Sequence, residues 1–155
     1  MKNKKFNLLL IIFATVLFFL IVALFVNKSL ENDSRLVLVL LGEKEIKAEV
    51  AISPKDQAKG LSLRDNLDED RGMLFLYDNS VPGFWMKGMN FPIDIIWIKN
   101  GIIVGIEDSV EPDFGNKIYY PPEPIDMVLE VNAGFASRNN LKTGDLVTFQ
   151  NLGKY

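Results

Sequence analysis

The chain predicts a mainly β domain of the α+β class: a single small, mostly antiparallel sheet, barrel-like or a half-open sandwich, with one or two short helices over an end. Three observations carry this. Runs rich in β-branched and aromatic residues recur beyond residue 35, clusters of Gly, Asn, Asp and Pro separate them, and one pair of runs flanks an Asn-Gly dipeptide suited to a tight hairpin. A transmembrane helix is expected ahead of the domain.

That helix comes first along the chain. From Phe6 to Val26 every residue except Asn7 and Thr15 is apolar, roughly 20 residues that span about 30 Å as a helix and match the hydrocarbon core of a bilayer. The run exceeds the usual core of a secretory signal, and Phe25-Val26-Asn27-Lys28 offers no spaced pair of small residues for cleavage. An uncleaved signal-anchor is therefore expected, with secretion after cleavage as the alternative. Lys2, Lys4 and Lys5 precede the span, which makes residues 1–5 a cytoplasmic basic tail, 6–26 the span across the cell membrane, and the rest of the chain extracytoplasmic. Residues 27–35, NKSLENDSR, read as a tether. The domain occupies 36–155, a length that suits one modest core.

Within it, Leu36 to Leu41 and Ile46 to Ile52 are strand candidates around Gly42-Glu43-Lys44. Ser53 is an N-cap, Pro54 suits the first helical position, Asp56 completes a capping-box-like pattern and Gly60 suits the C-terminal end. Met73 to Tyr77 and Phe84 to Lys87 are further strands. Ile93 to Lys99 and Ile102 to Glu107 flank Asn100-Gly101, and their apolar faces predict a central, two-sided place in the sheet. Asp108 to Pro124 reads as a surface loop, Asp126 to Val131 as a strand, Ala133 to Asn139 as a helical turn and Leu146 to Gln150 as the last strand.

The ordered series Gly60-Leu61, Arg64, Leu67, Arg71-Gly72-Met73-Leu74-Phe75, Phe84-Trp85-Met86-Lys87 and Pro92-Ile93-Asp94-Ile95-Ile96 resembles the prokaryotic domain-of-unknown-function family 192. The likeness continues through Tyr120-Pro121-Pro122, Met127-Val128-Leu129-Glu130-Val131 and Gly144-Asp145. It implies a small exported or membrane-anchored domain without an agreed activity. Gly88 stands where the family commonly has Asn, and Asp113-Phe114-Gly115-Asn116 lacks the cysteines that many relatives carry nearby. Any role of those side chains does not transfer.

Composition removes several chemistries. The chain has no His and no Cys, which excludes zinc hydrolysis by the usual ligands, Ser-His-Asp and thiol catalysis, disulfides and a lipoprotein anchor. No Gly-rich phosphate loop follows a strand, and no cofactor is implied. With the three leading lysines set aside, 14 basic side chains face 20 acidic ones, a formal −6. Nucleic acid is a poor partner for such a surface.

Carboxylate chemistry remains. A two-residue loop at Asn100-Gly101 with a regular hairpin puts Asp94 opposite Glu107, about 5 Å apart at Cβ. Such a pair suits general acid–base work, or, with Asp108, a hard cation such as Ca²⁺. An ordinary charge network involving Lys87 or Arg71 is the simpler expectation, and Asp94, alone in an apolar run, needs a fixed partner. Trp85 and Lys87 share a strand face and form a candidate platform for an anionic sugar or peptide carboxylate, although core packing leads for Trp85. Arg64 and Arg71 bracket Asp65 to Asp70: they suit a carboxylate or phosphate clamp, with local ion pairing the simpler account. Tyr119 and Tyr120 open a Pro-framed lip for a glycan or peptide.

The leading expectation is a non-catalytic, membrane-tethered module that binds a cell-envelope glycan, peptide or protein. A carboxylate-dependent hydrolase using Asp94 and Glu107, with glycans as one substrate class, and a structural or assembly role are the alternatives.

Overall fold

The computed structural model of the chain describes residues 2–33, 36–113 and 117–154, with side chains over 10–26, 36–113 and 117–153. Two compact units result, Met1–Arg35 and Leu36–Tyr155. The first is one helix, α1, Lys2–Asp33. Its side chains from Leu10 to Val26 are exposed, and among the described residues no helix is long and apolar enough to cross a membrane. The side chains of Lys2, Lys4 and Lys5, of residues 6–9 and of the expected tether at 27–35 lie outside the described residues. The helical backbone nevertheless runs on through Asp33, because residues 27–33 contain neither Gly nor Pro to end it.

The second unit begins with β1, Leu36–Leu41, and β2, Lys44–Ala51, antiparallel around a turn where Gly42 takes a φ of 61°. Helix α2, Pro54–Lys59, starts as expected: the Ser53 hydroxyl accepts the Asp56 N–H at 3.1 Å, and Gly60 ends the helix with a φ of 50°. The helix and the loop after it carry the chain over the sheet, so β3, Arg71–Ser80, returns parallel to β2. Every other strand pair among the described residues is antiparallel.

Next come β4, Phe84–Trp85, then β5, Ile93–Lys99, and β6, Ile102–Val110, then β7, Ile118–Tyr119, and β8, Ile125–Asn132. A short helix α3, Phe135–Arg138, precedes β9, Val147–Gln150. Seven strands form one sheet in the order β6-β5-β8-β3-β2-β1-β9, while β4 and β7 pair apart from it. The sheet curls until its edges meet. Ile102 bridges Leu146, the Ile103 N–H reaches the Asp145 carbonyl at 2.9 Å, and the Val147 N–H reaches the Gly101 carbonyl at 2.8 Å.

Two apolar layers line the two faces of this curled sheet. Val39, Leu74, Ile96, Leu129 and Val131 belong to one, and Phe75, Phe84, Trp97 and Val128 to the other. Strands buried on both faces explain the near-continuous apolar runs of β5 and β8.

Three expectations need correction. Strand β5 is central, but β6 pairs laterally with β5 alone over most of its length and stands at the end of the strand order. The strand expected over Phe84 to Lys87 is only two residues long. The hairpin register also changes. Lys99 faces Ile102 and Ile98 faces Ile103 as the Asn-Gly turn requires, but Trp97 then faces Gly105, and Ile95 faces Glu107. A bulge at Val104 causes the slip. A Cβ on Gly105 would stand 3.0 Å from Trp97 Cδ1 and 3.2 Å from Pro122 Cδ, so the Trp97 ring and the proline meet over the one residue with no side chain.

Candidate functional site

Glu130 is the chemical oddity of the domain. It lies on β8, flanked in register by Met73 of β3 and Ile95 of β5, and is 6 % exposed. Its Oε2 has no hydrogen-bond partner. Burial pushes its carboxyl up to about 8, against the opposing pull of the Arg64 charge. The Arg64 fork is turned to Glu49, with its terminal nitrogens at 2.7 and 2.8 Å from the two carboxylate oxygens, and none of its N–H groups reaches Glu130 Oε2.

Glu130 contributes to the lining of a pocket of about 160 Å³. The C-terminal end of α2 and the turn at Gly60-Leu61-Ser62 form one side, and Phe75, Tyr77, Phe84 and Trp85 form the aromatic side. Gly60 is needed here: a Cβ on it would lie 3.7 Å from Glu130 Oε2 and 3.5 Å from the Phe75 ring, and its φ is left-handed. Phe84 holds the aromatics together, edge-on to Phe75 at 5.0 Å, to Trp97 at 5.5 Å and to Tyr77 at 6.2 Å between centroids. Burial first, and the Glu130 charge second, raise the Tyr77 hydroxyl to about 12.

Trp85 departs from the core expectation. Its neighbours Phe84 and Met86 are buried, but Trp85 is 48 % exposed and faces the pocket. The alternation arises because β4 lies over the sheet face and not within it. Tyr119 is half-buried, with Lys117 Nζ 4.1 Å from its ring centre. Tyr120 is exposed, and a Cβ on Gly83, which lines the pocket, would meet Ile118 at 2.8 Å and Tyr120 at 3.0 Å. The tyrosine lip thus abuts the pocket wall.

The Asp94–Glu107 pair is not built. The bulge puts Ile95 opposite Glu107, and Asp94, wholly buried, turns to the backbone instead. One oxygen accepts the Ser109 and Gly134 N–H groups and the other accepts the Ala136 N–H, each at 2.8 Å. Helix α3 has no side-chain cap of its own, so Asp94 caps it from another strand. Burial pushes the Asp94 carboxyl up, the three N–H donors pull it down, and the Asp108 charge adds to the push. With Asp94 so engaged, Asp94, Glu107 and Asp108 do not form the anticipated cation site: no group of three His, Cys, Asp or Glu among the described residues could hold a metal.

The fixed partner expected for Asp94 is therefore backbone, not Lys87, which is exposed. Lys87→Met should change the unfolding free energy by less than about 0.5 kcal/mol; a loss of several kcal/mol in a urea titration would restore the buried pair. Local pairing also fails for Arg64, whose partner is the distant Glu49. Asp70 pairs with Lys47 at 2.8 Å, and Arg71 makes no ion pair among the described residues. Gly88 has a φ of 77°, a conformation that Gly and Asn adopt readily, so its exchange with Asn needs no missing contact.

Sequence reasoning missed Glu130 as a site residue, although the signal existed. It is the one carboxylate in Met127-Val128-Leu129-Glu130-Val131, the same pattern that singled out Asp94. Nothing in the sequence alone brought Tyr77 and Gly60 beside it.

Comparison with known proteins bears on the family and the fold. No curated protein matches the chain. Among solved structures, a protein of unknown function from Novosphingobium aromaticivorans is similar at 31% identity, with a TM-score of 0.67 over 73% of this chain and 83% of that one. A protein described as a candidate transcription regulator from Sinorhizobium meliloti is similar at 28% identity, with a TM-score of 0.68 over 74% of this chain and 92% of that one. The profile of the family DUF192, Uncharacterized ACR, matches residues 37–149, from the start of β1 to the last strand. The chain belongs to the DUF192 family.

Proposed function

We propose that this chain is a membrane-tethered module whose extracytoplasmic domain binds an envelope ligand or protein, without transforming it, in the pocket lined by Glu130. The observation that carries the reading is a buried carboxyl oxygen without a partner, beside a pocket with an exposed tryptophan at its side. Buried polar groups left unpaired are costly, and a ligand that pairs one recovers that cost on binding. The apolar run Phe6 to Val26 and the lysines before it support the tether and its orientation. The regulator description of the Sinorhizobium relative is not adopted, because acidic side chains outnumber basic ones here.

A hydrolase is the second reading. Its support is the raised Glu130 carboxyl, which keeps a proton at neutral pH as a general acid must. It lacks a second catalytic carboxylate, since Asp94 is committed to three backbone N–H groups. Spheroplasts displaying the full chain would be offered labelled envelope glycans and peptides, with retention and products both followed. Retention that falls several-fold in a folded Trp85→Ala variant is the expected result. Reproducible turnover abolished by Glu130→Gln would overturn the binding reading in favour of the enzyme.

A further inference from the structure

Two of the polar side chains that line the pocket already spend their donors inside the protein. Gln57 Nε2 donates to the Leu76 carbonyl at 3.0 Å and to the Ala51 carbonyl at 3.5 Å. Ser62 Oγ donates to the Lys87 carbonyl at 3.1 Å. Arg64, the cation whose charge reaches Glu130, is held at both ends of its fork by Glu49. Glu130, which lines the same pocket, has in Oε2 a buried oxygen with no hydrogen-bond partner. An anionic sugar or a peptide carboxylate would be repelled by the ionised form of Glu130, whereas a cation gains from that form.

The aromatic side completes the chemistry. Phe75, Phe84 and Trp85 line the same pocket, and aromatic faces carry negative potential that attracts cations. We infer that the Glu130 pocket takes an organic ammonium head group, whose charge pairs with the Glu130 carboxylate while its carbons lie against the Phe75, Phe84 and Trp85 rings. The inference rests on the binding reading above and names its ligand class. At about 160 Å³ the pocket is smaller than the roughly 300 Å³ and more that whole drug-sized ligands occupy. It therefore receives a head group, carried by a free amine or by a lysyl side chain.

Proton balance depends on the surroundings. Tyr77 of β3, Arg64 and Glu49 beyond it, and Lys59 at the end of α2 are the titratable groups around Glu130, with the apolar Ile95 on the β5 side. The Lys59 charge acts on Glu49. With its carboxyl raised to about 8, Glu130 is mostly protonated at pH 7. The entering ammonium displaces that proton to solvent, and one ion pair replaces one neutral acid.

Calorimetric titration of the full chain in detergent micelles tests this with n-butylammonium, the Nα-acetyl N-methylamide of lysine, and n-butanol as the uncharged control. Both amines stay charged below about pH 10. Their affinity should rise about tenfold from pH 7 to pH 9, as the ionised fraction of Glu130 grows. At pH 7, buffers of different ionisation enthalpy should report close to one proton released per amine bound. Glu130→Gln should remove the pH dependence and most of the affinity, and Trp85→Ala should weaken binding several-fold while the proton release persists. Tighter binding of the lysine derivative assigns a protein or peptide source and tighter n-butylammonium a free amine, and both orders uphold the inference. Binding of n-butanol as tight as that of the amines, with no pH dependence, overturns the ammonium assignment and leaves the binding pocket standing. No heat from any probe, at either pH, overturns both.

Discussion

Glu130→Gln should unfold with nearly the parent's free energy at pH 4 and be about 5 kcal/mol more stable at pH 9. The carboxyl moves from an ordinary value of 4.5 to about 8 on folding. Between those two values the folded chain holds a proton that the unfolded chain has lost, so stability falls as pH rises through the window. Below 4.5 both states are protonated and the residue has no differential effect. Glutamine keeps the shape of the neutral acid and has no proton to lose. Asp94 is also raised by burial, but it is common to both proteins and cancels in their difference. Urea titrations at several pH values measure the effect, and two curves that stay parallel from pH 4 to pH 9 would show that Glu130 ionises freely.

Asp94→Ala should cost about 4 kcal/mol at pH 7. Three backbone N–H groups, those of Ser109, Gly134 and Ala136, lose their acceptor at once, and an orphaned N–H costs about 1–3 kcal/mol when buried, as that of Ala136 is, and less where it is half-buried, as at Ser109 and Gly134. Asp94→Asn keeps one good acceptor oxygen and should lose about half as much. Amide exchange supplies an independent reading, since the three amides should quicken together in Asp94→Ala. An unchanged urea midpoint with normal protection at all three would mean that the backbone there holds itself without the carboxylate.

These two carboxylates also mark how far the sequence could be read. Local chemistry was legible: Ser53, Pro54 and Gly60 delimit α2, and Asn100-Gly101 places Lys99 against Ile102. Each depends on neighbours in the chain. The bulge at Val104 was not legible: beside it Pro122 and Trp97 converge on Gly105 from different segments, a meeting that no local pattern announces. One residue of slip then removed the Asp94–Glu107 pairing that a regular ladder required. The tight alternation Phe84, Trp85, Met86, Lys87 was legible as two faces, but which face meets solvent depends on β4 leaving the main sheet for β7. Glu130 shares with Asp94 the pattern of a lone carboxylate in an apolar strand. What separates the two is the partner set: three amides for Asp94, and an open acceptor for Glu130.

The meeting of the sheet's two ends near Gly101 bears on aggregation. An open seven-stranded sheet would present two rows of unpaired N–H and C=O groups, each a template on which another chain could grow as an added strand. Here Ile102 and Ile103 of one end are already joined to the segment from Gly144 to Val147 at the other. Farther along β6, Pro122 lies over Gly105, and proline has no N–H with which to extend a ladder. Another chain would therefore find this stretch of strand edge already occupied, and strand addition would be confined to edge elsewhere, such as the part of β6 that pairs with β5 alone.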